Sequence, residues 1–400
     1  MTAAASFTPA GSRPPPGDGT LTVCASGCAY KTIRAAWDSA TERAHSRQVK
    51  STISIGDGNY TETGQFYTDD PADKYVRIVG DTANSAKVVI NFTNVGGTGF
   101  GGFVVSAGGQ IGLIDGVTLN AVGAIEGSTA DKMTGNETAT GTSWKAQSYG
   151  AGIGAAGPGS LITLGSHVTV NHFYYGLFAD NGGMVNAERG GVTVTDAGDV
   201  DIMARGNGVI VCTPCTVNRA ADSTHTAVAN LGSGFDAERG GTLYIDGSTS
   251  SNTRTACINA LTNGAAWAHD IKCLGGLSGQ GQGIAAVEGG TIETFGTTGS
   301  TVTGYKNGIY AGAGGYVDVT QAKVSANSGD GISVDGGKLT GSSASSTGNA
   351  GYGLHLFHQG NAVLFTTLAN LKGNKAGQVA VEAAGTRNGY AYQGSSLVIN

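Results

Sequence analysis

Three carboxylates and two arginines stand where their types and spacing could do chemistry. Asp180, Asp236 and Glu238 fall in two copies of one glycine-bounded phrase, GLFADNGGMV from Gly176 and GFDAERGGTLYI from Gly234. Asp236 and Glu238 are two residues apart, so an extended chain turns both to one side. Two carboxyl groups, one protonated and one ionised, are the usual equipment for general acid and base catalysis. The pentapeptide AERGG occurs from Ala187 and again from Ala237, setting Arg189 beside Glu188 and Arg239 beside Glu238. A guanidinium so placed could hold an acidic ligand in bidentate fashion, although such a step before paired glycines is often only a solvated corner. Tyr174 and Tyr175, within HFYY from His172, add aromatic faces that could stack on a ligand ring.

The elements that must position these residues are visible in the repetition. The phrase returns as GIAAVEGGTIETF from Gly283, GIYAGAGGYVDV from Gly308 and GISVDGGKL from Gly331, at intervals of 25 and 23 residues. That period signals a solenoid, whose repeats bury a core only by stacking. Apolar pairs two residues apart, such as Val192 with Val194 and Val317 with Val319, are strand-like and not helical. Glycine, Asn and Asp mark the corners, as at Asn307-Gly308 and Asp330-Gly331. A parallel β-helix fits best. Aligned on their glycine pairs, Asp180 and Glu238 share a column, with a coil starting near Gly208 between them that contributes Cys212. Two rungs span about 9.6 Å, within side-chain reach of the separation of about 6.5 to 9.5 Å that inverting glycosidases use. Further along, the column is neutral at Val287 and Gly312.

Composition supports one elongated fold. The 400 residues include 69 glycines but only 7 prolines without a triplet period, which excludes collagen. A net charge of −6 argues against nucleic acid as a partner. No apolar run is long enough to insert in a membrane, and no secretion signal opens the sequence. The six cysteines form local pairs, Cys24 with Cys28, Cys212 with Cys215 and Cys257 with Cys273, readable as disulfides, as free thiols or, at Cys212, as half a zinc site. Asp196, Asp199 and Asp201 with Arg205 read as a loop whose carboxylates are solvated. His355 and His358, in GLHLFHQG, read as a hydrogen-bonded stack. Tyr305, Tyr310, Tyr316 and Tyr352 recur near corners of the later repeats. No cofactor or metal is expected.

Residues 1–19, with Pro14 to Pro16 consecutive, read as a flexible lead-in, and residues 20–400 as a single β-helix domain. One helix is expected over about 31–47, capped by Thr32 and burying Ile33, Trp37, Ala40 and Ala44 against the open end of the stack. The run TLTVCASGCAYKTIRAAWDSA, then STISIGDGNYTETG and KYVRIVGD, resembles the opening of right-handed parallel β-helix proteins of the pectin-lyase-like superfamily, and within it the tail fibres and tailspikes of phages and prophages. Tyr30, Thr32, Ile33, Asp57, Gly58, Tyr60, Ile78 and Gly80 carry the likeness, which covers roughly residues 20 to 95. The resemblance implies an all-β, right-handed solenoid with a short N-terminal capping helix. It also implies a homotrimer located in a virion tail or outside a cell and partnered by a bacterial surface polysaccharide.

The later motifs of pectin methylesterases and the signature segments of polygalacturonases have no counterpart here, and the metal-binding aspartate cluster with a basic residue of calcium-dependent pectate lyases is approached only by Asp196, Asp199 and Asp201 with Arg205. The sequence therefore leaves open whether the protein cuts glycans, as a hydrolase or lyase, or only binds them as a fibre segment. A secreted carbohydrate-active enzyme of cellular origin is the third reading. The residues assigned to catalysis are Asp180, Asp236 and Glu238; those assigned to substrate are Arg189, Arg239, Tyr174 and Tyr175.

Overall fold

A computed structural model describes residues 19–93, 101–122, 150–218, 232–253, 255–275, 281–365, 370–387, 390–392 and 394–399. Among them the chain winds as a right-handed parallel β-helix with three all-parallel sheets of 14, 12 and 11 strands. Each coil visits the sheets in a fixed order. Tyr175–Asp180 lies in the 12-stranded sheet, Met184–Ala187 in the 14-stranded sheet and Val192–Thr195 in the 11-stranded sheet. Val200–Arg205 then returns to the 12-stranded sheet beside Tyr175–Asp180.

The paired glycines explain the corner between the 12- and 14-stranded sheets. The first must take the left-handed region, as Gly240 does at φ 80°. The second passes so close to the preceding coil that a Cβ on Gly241 would strike the carbonyl oxygen of Ala204. Inside the stack, Ile153, Leu177, Ile202, Phe235, Ile258, Ile284 and Ile309 form one continuous in-register ladder, each fully buried. Polar ladders fix the register as well. Buried Asn349 bonds Asn327 on one side at 2.9 Å and Asn374 on the other at 2.8 Å.

Helix α1, Ile33–Arg47, closes the first coils, with the Thr32 side chain accepting from the Ala35 N–H at its start. The four expected residues, Ile33, Trp37, Ala40 and Ala44, are buried together with Ala36. Trp37 meets Phe66 edge-on at 5.5 Å and lies 6.3 Å from Phe103. The Glu62 carboxylate accepts the N–H groups of Ile33 and Arg34 at 3.0 and 3.3 Å, where the helix dipole favours an anion. Tyr60 of the Asp-Gly-x-Tyr phrase donates its hydroxyl to the Gly56 carbonyl at 2.7 Å. The lead-in, residues 1–19, lies outside the described residues up to position 18. All three cysteine pairs are disulfides, with Cα atoms 5.5 or 5.6 Å apart. No helix among the described residues is long and apolar enough to cross a membrane.

Candidate functional site

The outer face of the 12-stranded sheet collects the carboxylates singled out above. Strands Tyr175–Asp180, Val200–Arg205, Ser233–Glu238 and Ala256–Leu261 lie side by side, which puts Phe178, Met203, Asp236 and Asn259 in one outward column. In the next outward column Arg205 pairs with Glu238 and Glu238 with Leu261, and Asp180 follows the paired Ala179 on the strand before. Asp180 and Glu238 thus share a column with one coil between them. The residue between them is Arg205, however, and not Cys212, which pairs with Ala187 on the 14-stranded sheet. Arg205 Nη2 donates to Asp180 Oδ2 at 3.1 Å, and its guanidinium carbon lies 4.9 Å from the Phe178 ring centre. A cation therefore fills the interval in which an inverting pair would hold its water.

Asp236 and Glu238 do face the same side, but in unlike surroundings. Asp236 is 4% exposed; its Oδ2 accepts from Asn259 Nδ2 at 3.4 Å and its Oδ1 has no hydrogen-bond partner among the described residues. Burial first, and the Glu238 charge second, push the Asp236 carboxyl well above the usual carboxylate range. Glu238 is half-buried and is also pushed up by burial, but Arg239 and Arg205 oppose that shift. Both carboxyls are thus pushed upward by burial, Asp236 the more strongly.

The aromatic residues divide between inside and outside. Phe173 belongs to the central core. Tyr175, only 6% exposed, stacks on Phe178 at 4.8 Å and joins Val200 and Met203 in a small apolar cluster on the outer face. Burial, with Asp199 adding to it, pushes the Tyr175 hydroxyl far up and keeps it neutral. Tyr174 packs edge-on against Tyr175 at 4.7 Å. Both tyrosines thus use their rings on protein neighbours. Tyr305 is fully buried, its hydroxyl 3.0 Å from Thr253 Oγ1.

The two AERGG copies are not equivalent. The copy from Ala237 turns from the 12- to the 14-stranded sheet, whereas that from Ala187 turns from the 14- to the 11-stranded sheet. Arg239 is exposed beside the cluster, in the left-handed region at φ 50°, while exposed Arg189 belongs to a different corner. The segment carrying Asp201 and Arg205 is a strand and not a loop. Asp201 is fully buried, its Oδ1 accepting the Ala197 N–H at 3.1 Å. Among the described residues no group of three or more His, Cys, Asp or Glu side chains is arranged to hold a metal ion.

Two further groupings went unread in the sequence. On the 14-stranded sheet Tyr244 and Trp267 stack at 4.8 Å on adjacent coils, followed in the same column by Glu293 and Asp318. Their signal was the outward position shared by TIETF and YVDV. The column of Asp180 and Glu238 also turns acidic again at Asp335, which pairs with Gly312 and Phe357, so its later part is not uniformly neutral.

No protein-family model matches the chain, and no curated protein is similar to it in sequence. Solved structures do resemble it. The catalytic domain of a GH87 α-1,3-glucanase in complex with nigerose superposes with a TM-score of 0.50 at 14% identity, covering 98% of this chain and 67% of that one. The Agl-KA catalytic domain gives 0.49 at 12% identity, covering 100% and 70%. At such identities the likeness is one of fold.

Proposed function

We propose that this protein binds and cleaves a polysaccharide outside the cell, through the outer face of the 12-stranded sheet. The observation that carries the catalytic part is the contrast on one face between Asp236, buried with one carboxyl oxygen unpartnered among the described residues, and half-buried Glu238, with Arg205 in register on the neighbouring strand. Asp236 serves as proton donor and Glu238 as acceptor or charge stabiliser, and burial keeps bulk water from the donor. Arg239, exposed beside Glu238, is the cation for a ligand hydroxyl or carboxylate. Asp180 acts through Arg205, which it orients. Support for a glycan comes from the shared fold with an α-1,3-glucanase catalytic domain and from a low-charge surface rich in hydrogen-bonding groups.

The tail-fibre setting, with a bacterial surface polysaccharide as ligand and a homotrimer as the working form, rests on the resemblance over residues 20 to 95. Light scattering of the purified protein checks the trimer. The activity is tested by reducing ends released from α-1,3-glucan, capsule and lipopolysaccharide. Release should fall at least about 100-fold in both Asp236→Asn and Glu238→Gln, and unchanged release discards the assignment.

One observation favours a second location. Glu293 and Asp318 are in register on adjacent coils, so their backbones stand about 4.8 Å apart, close to the roughly 5 to 5.5 Å carboxyl spacing of retaining glycosidases. If Glu293→Gln and Asp318→Asn abolish release while the Asp236 and Glu238 variants keep it, the chemistry belongs to the 14-stranded sheet.

A further inference from the structure

We infer that Tyr310, Asp335, His355 and His358 form a second sugar-binding site on the 12-stranded sheet, separate from the Asp236 and Glu238 pair and serving to hold the same polysaccharide. The inference rests on the glycan reading above. Four coil steps separate Glu238 from Asp335 in the shared column, passing Leu261, Val287 and Gly312. At about 4.8 Å per step that is about 19 Å, a span suited to one chain lying along the solenoid axis.

Tyr310 sits on the outward side of the strand Asn307–Gly312, in the column that holds Asp236 on an earlier coil. Its ring does not stand away from the sheet. A Cβ placed on Gly312 would lie 2.5 Å from Tyr310 Cε1 and 2.7 Å from Cζ and the hydroxyl oxygen, so the ring lies down over the glycine. Gly312 is not in the left-handed region, so the ring, and not the backbone, requires the missing side chain. The hydroxyl donates to Asp335 Oδ2 at 2.9 Å. Burial, then Asp335, push that hydroxyl up to about 12, and it stays a donor at neutral pH.

The rest of the patch is oriented as firmly. His358 Nδ1 lies 2.6 Å from Asp335 Oδ1, and His355 Nδ1 lies 2.9 Å from Asp330 Oδ2. Asp330 is itself fixed, its Oδ1 accepting the Tyr352 N–H at 2.7 Å. The side chains of Asp335, His355 and His358 are 27%, 31% and 40% exposed, so the patch is open to a ligand. A flat aromatic face suits the C–H face of a pyranose ring. A carboxylate offers about four lone-pair positions, of which Asp335 spends two on Tyr310 and His358, leaving acceptors for sugar hydroxyls. With its Nδ1 on Asp330, His355 presents Nε2 as a further polar contact.

Calorimetric binding of α-1,3-glucan, capsule and O-chain oligosaccharides to the full chain tests this. Tyr310→Ala and Gly312→Ala, the second displacing the ring without removing any polar group, should each weaken binding about tenfold. Turnover at saturating substrate should be retained. Tyr310→Ala decides alone if Gly312→Ala fails to fold. Wild-type affinity in these variants, with turnover lost in Glu238→Gln, overturns the second site and leaves the glycan reading standing. A wild-type protein that binds none of these oligosaccharides overturns both.

Discussion

Arg205 and Glu238 occupy matching positions on neighbouring strands, so the positive charge of Arg205 acts on the Glu238 carboxyl of the proposed pair. The same guanidinium holds Asp180. Arg205→Met removes one of the two cations that oppose the upward shift of Glu238. Glu238 would then keep its proton to higher pH. Because a base must be ionised to act, the acidic limb of the rate profile should move to higher pH. The stability cost should be about 1 kcal/mol, since the ion pair with Asp180 is only partly buried. A pH–rate profile that keeps its acidic limb in place would separate Arg205 from the chemistry.

Asp236 ties the proposed catalysis to stability. Its carboxyl is raised in the folded protein above the unfolded value of about 3.9, so the native state binds the proton more tightly. The resulting stability is fully present below the unfolded value and is lost as pH rises through the raised one. Asp236→Asn puts a neutral amide at this site and removes that loss. The variant should be more stable than the wild type above neutrality, by on the order of 1 kcal/mol, while losing activity. Denaturant melts from pH 4 to pH 8 check the sign, and a gap that narrows with rising pH contradicts it.

How much of this was legible in the sequence depends on what each signal measures. The Gly-Gly phrase reports two backbone demands, a positive φ and a close approach to the previous coil, and both recur at fixed phase, so fold and column could be read from it. The place of Arg205 in that column escaped because its coil turns on Gly206-Asn207-Gly208, where Asn207 supplies the left-handed corner at φ 63° that glycine supplies elsewhere. The two AERGG copies misled because a local turn sequence does not say which sheets it joins. Alternation put Asp236 and Glu238 on one face, but no local pattern shows that Asp236 is sealed from water and Glu238 is not. Helix α1 was readable since Thr32 and the spacing from Ile33 to Ala44 are local facts.

The asparagine ladder sets a sharp stability expectation. Asn349 is fully buried and links Asn327, Asn374 and Ser346. Asn349→Ala would strand the Asn327 side-chain amide and the Asn327 backbone N–H, which both donate to Asn349 Oδ1, whereas the Asn374 side-chain oxygen keeps the backbone N–H of residue 349. Each stranded group costs about 1 to 3 kcal/mol, so the loss should reach about 3 kcal/mol and exceed that of an exposed Asn substitution several-fold. In a solenoid the damage stays near its coil. Hydrogen exchange should therefore accelerate in the coils around residues 327 to 374 while the coils around residues 150 to 205 keep their protection.

Trp37 tests whether the helix is a cap or an ornament. It is 4% exposed and shields Phe66 and Phe103, whose rings stack at 4.9 Å at the start of the core. Trp37→Ala should cost about 3 to 5 kcal/mol through lost burial and the cavity left behind. It also uncovers apolar core at the end of the stack, and an uncovered solenoid end is a template for pairing with another chain. The variant is expected to melt earlier and to associate as concentration rises, whereas Trp37→Phe should lose far less. Calorimetry and light scattering on the two variants provide the check. A Trp37→Ala protein that stays monodisperse, or keeps the wild-type assembly state, with an unchanged melting temperature would mean that the first coils close without the helix.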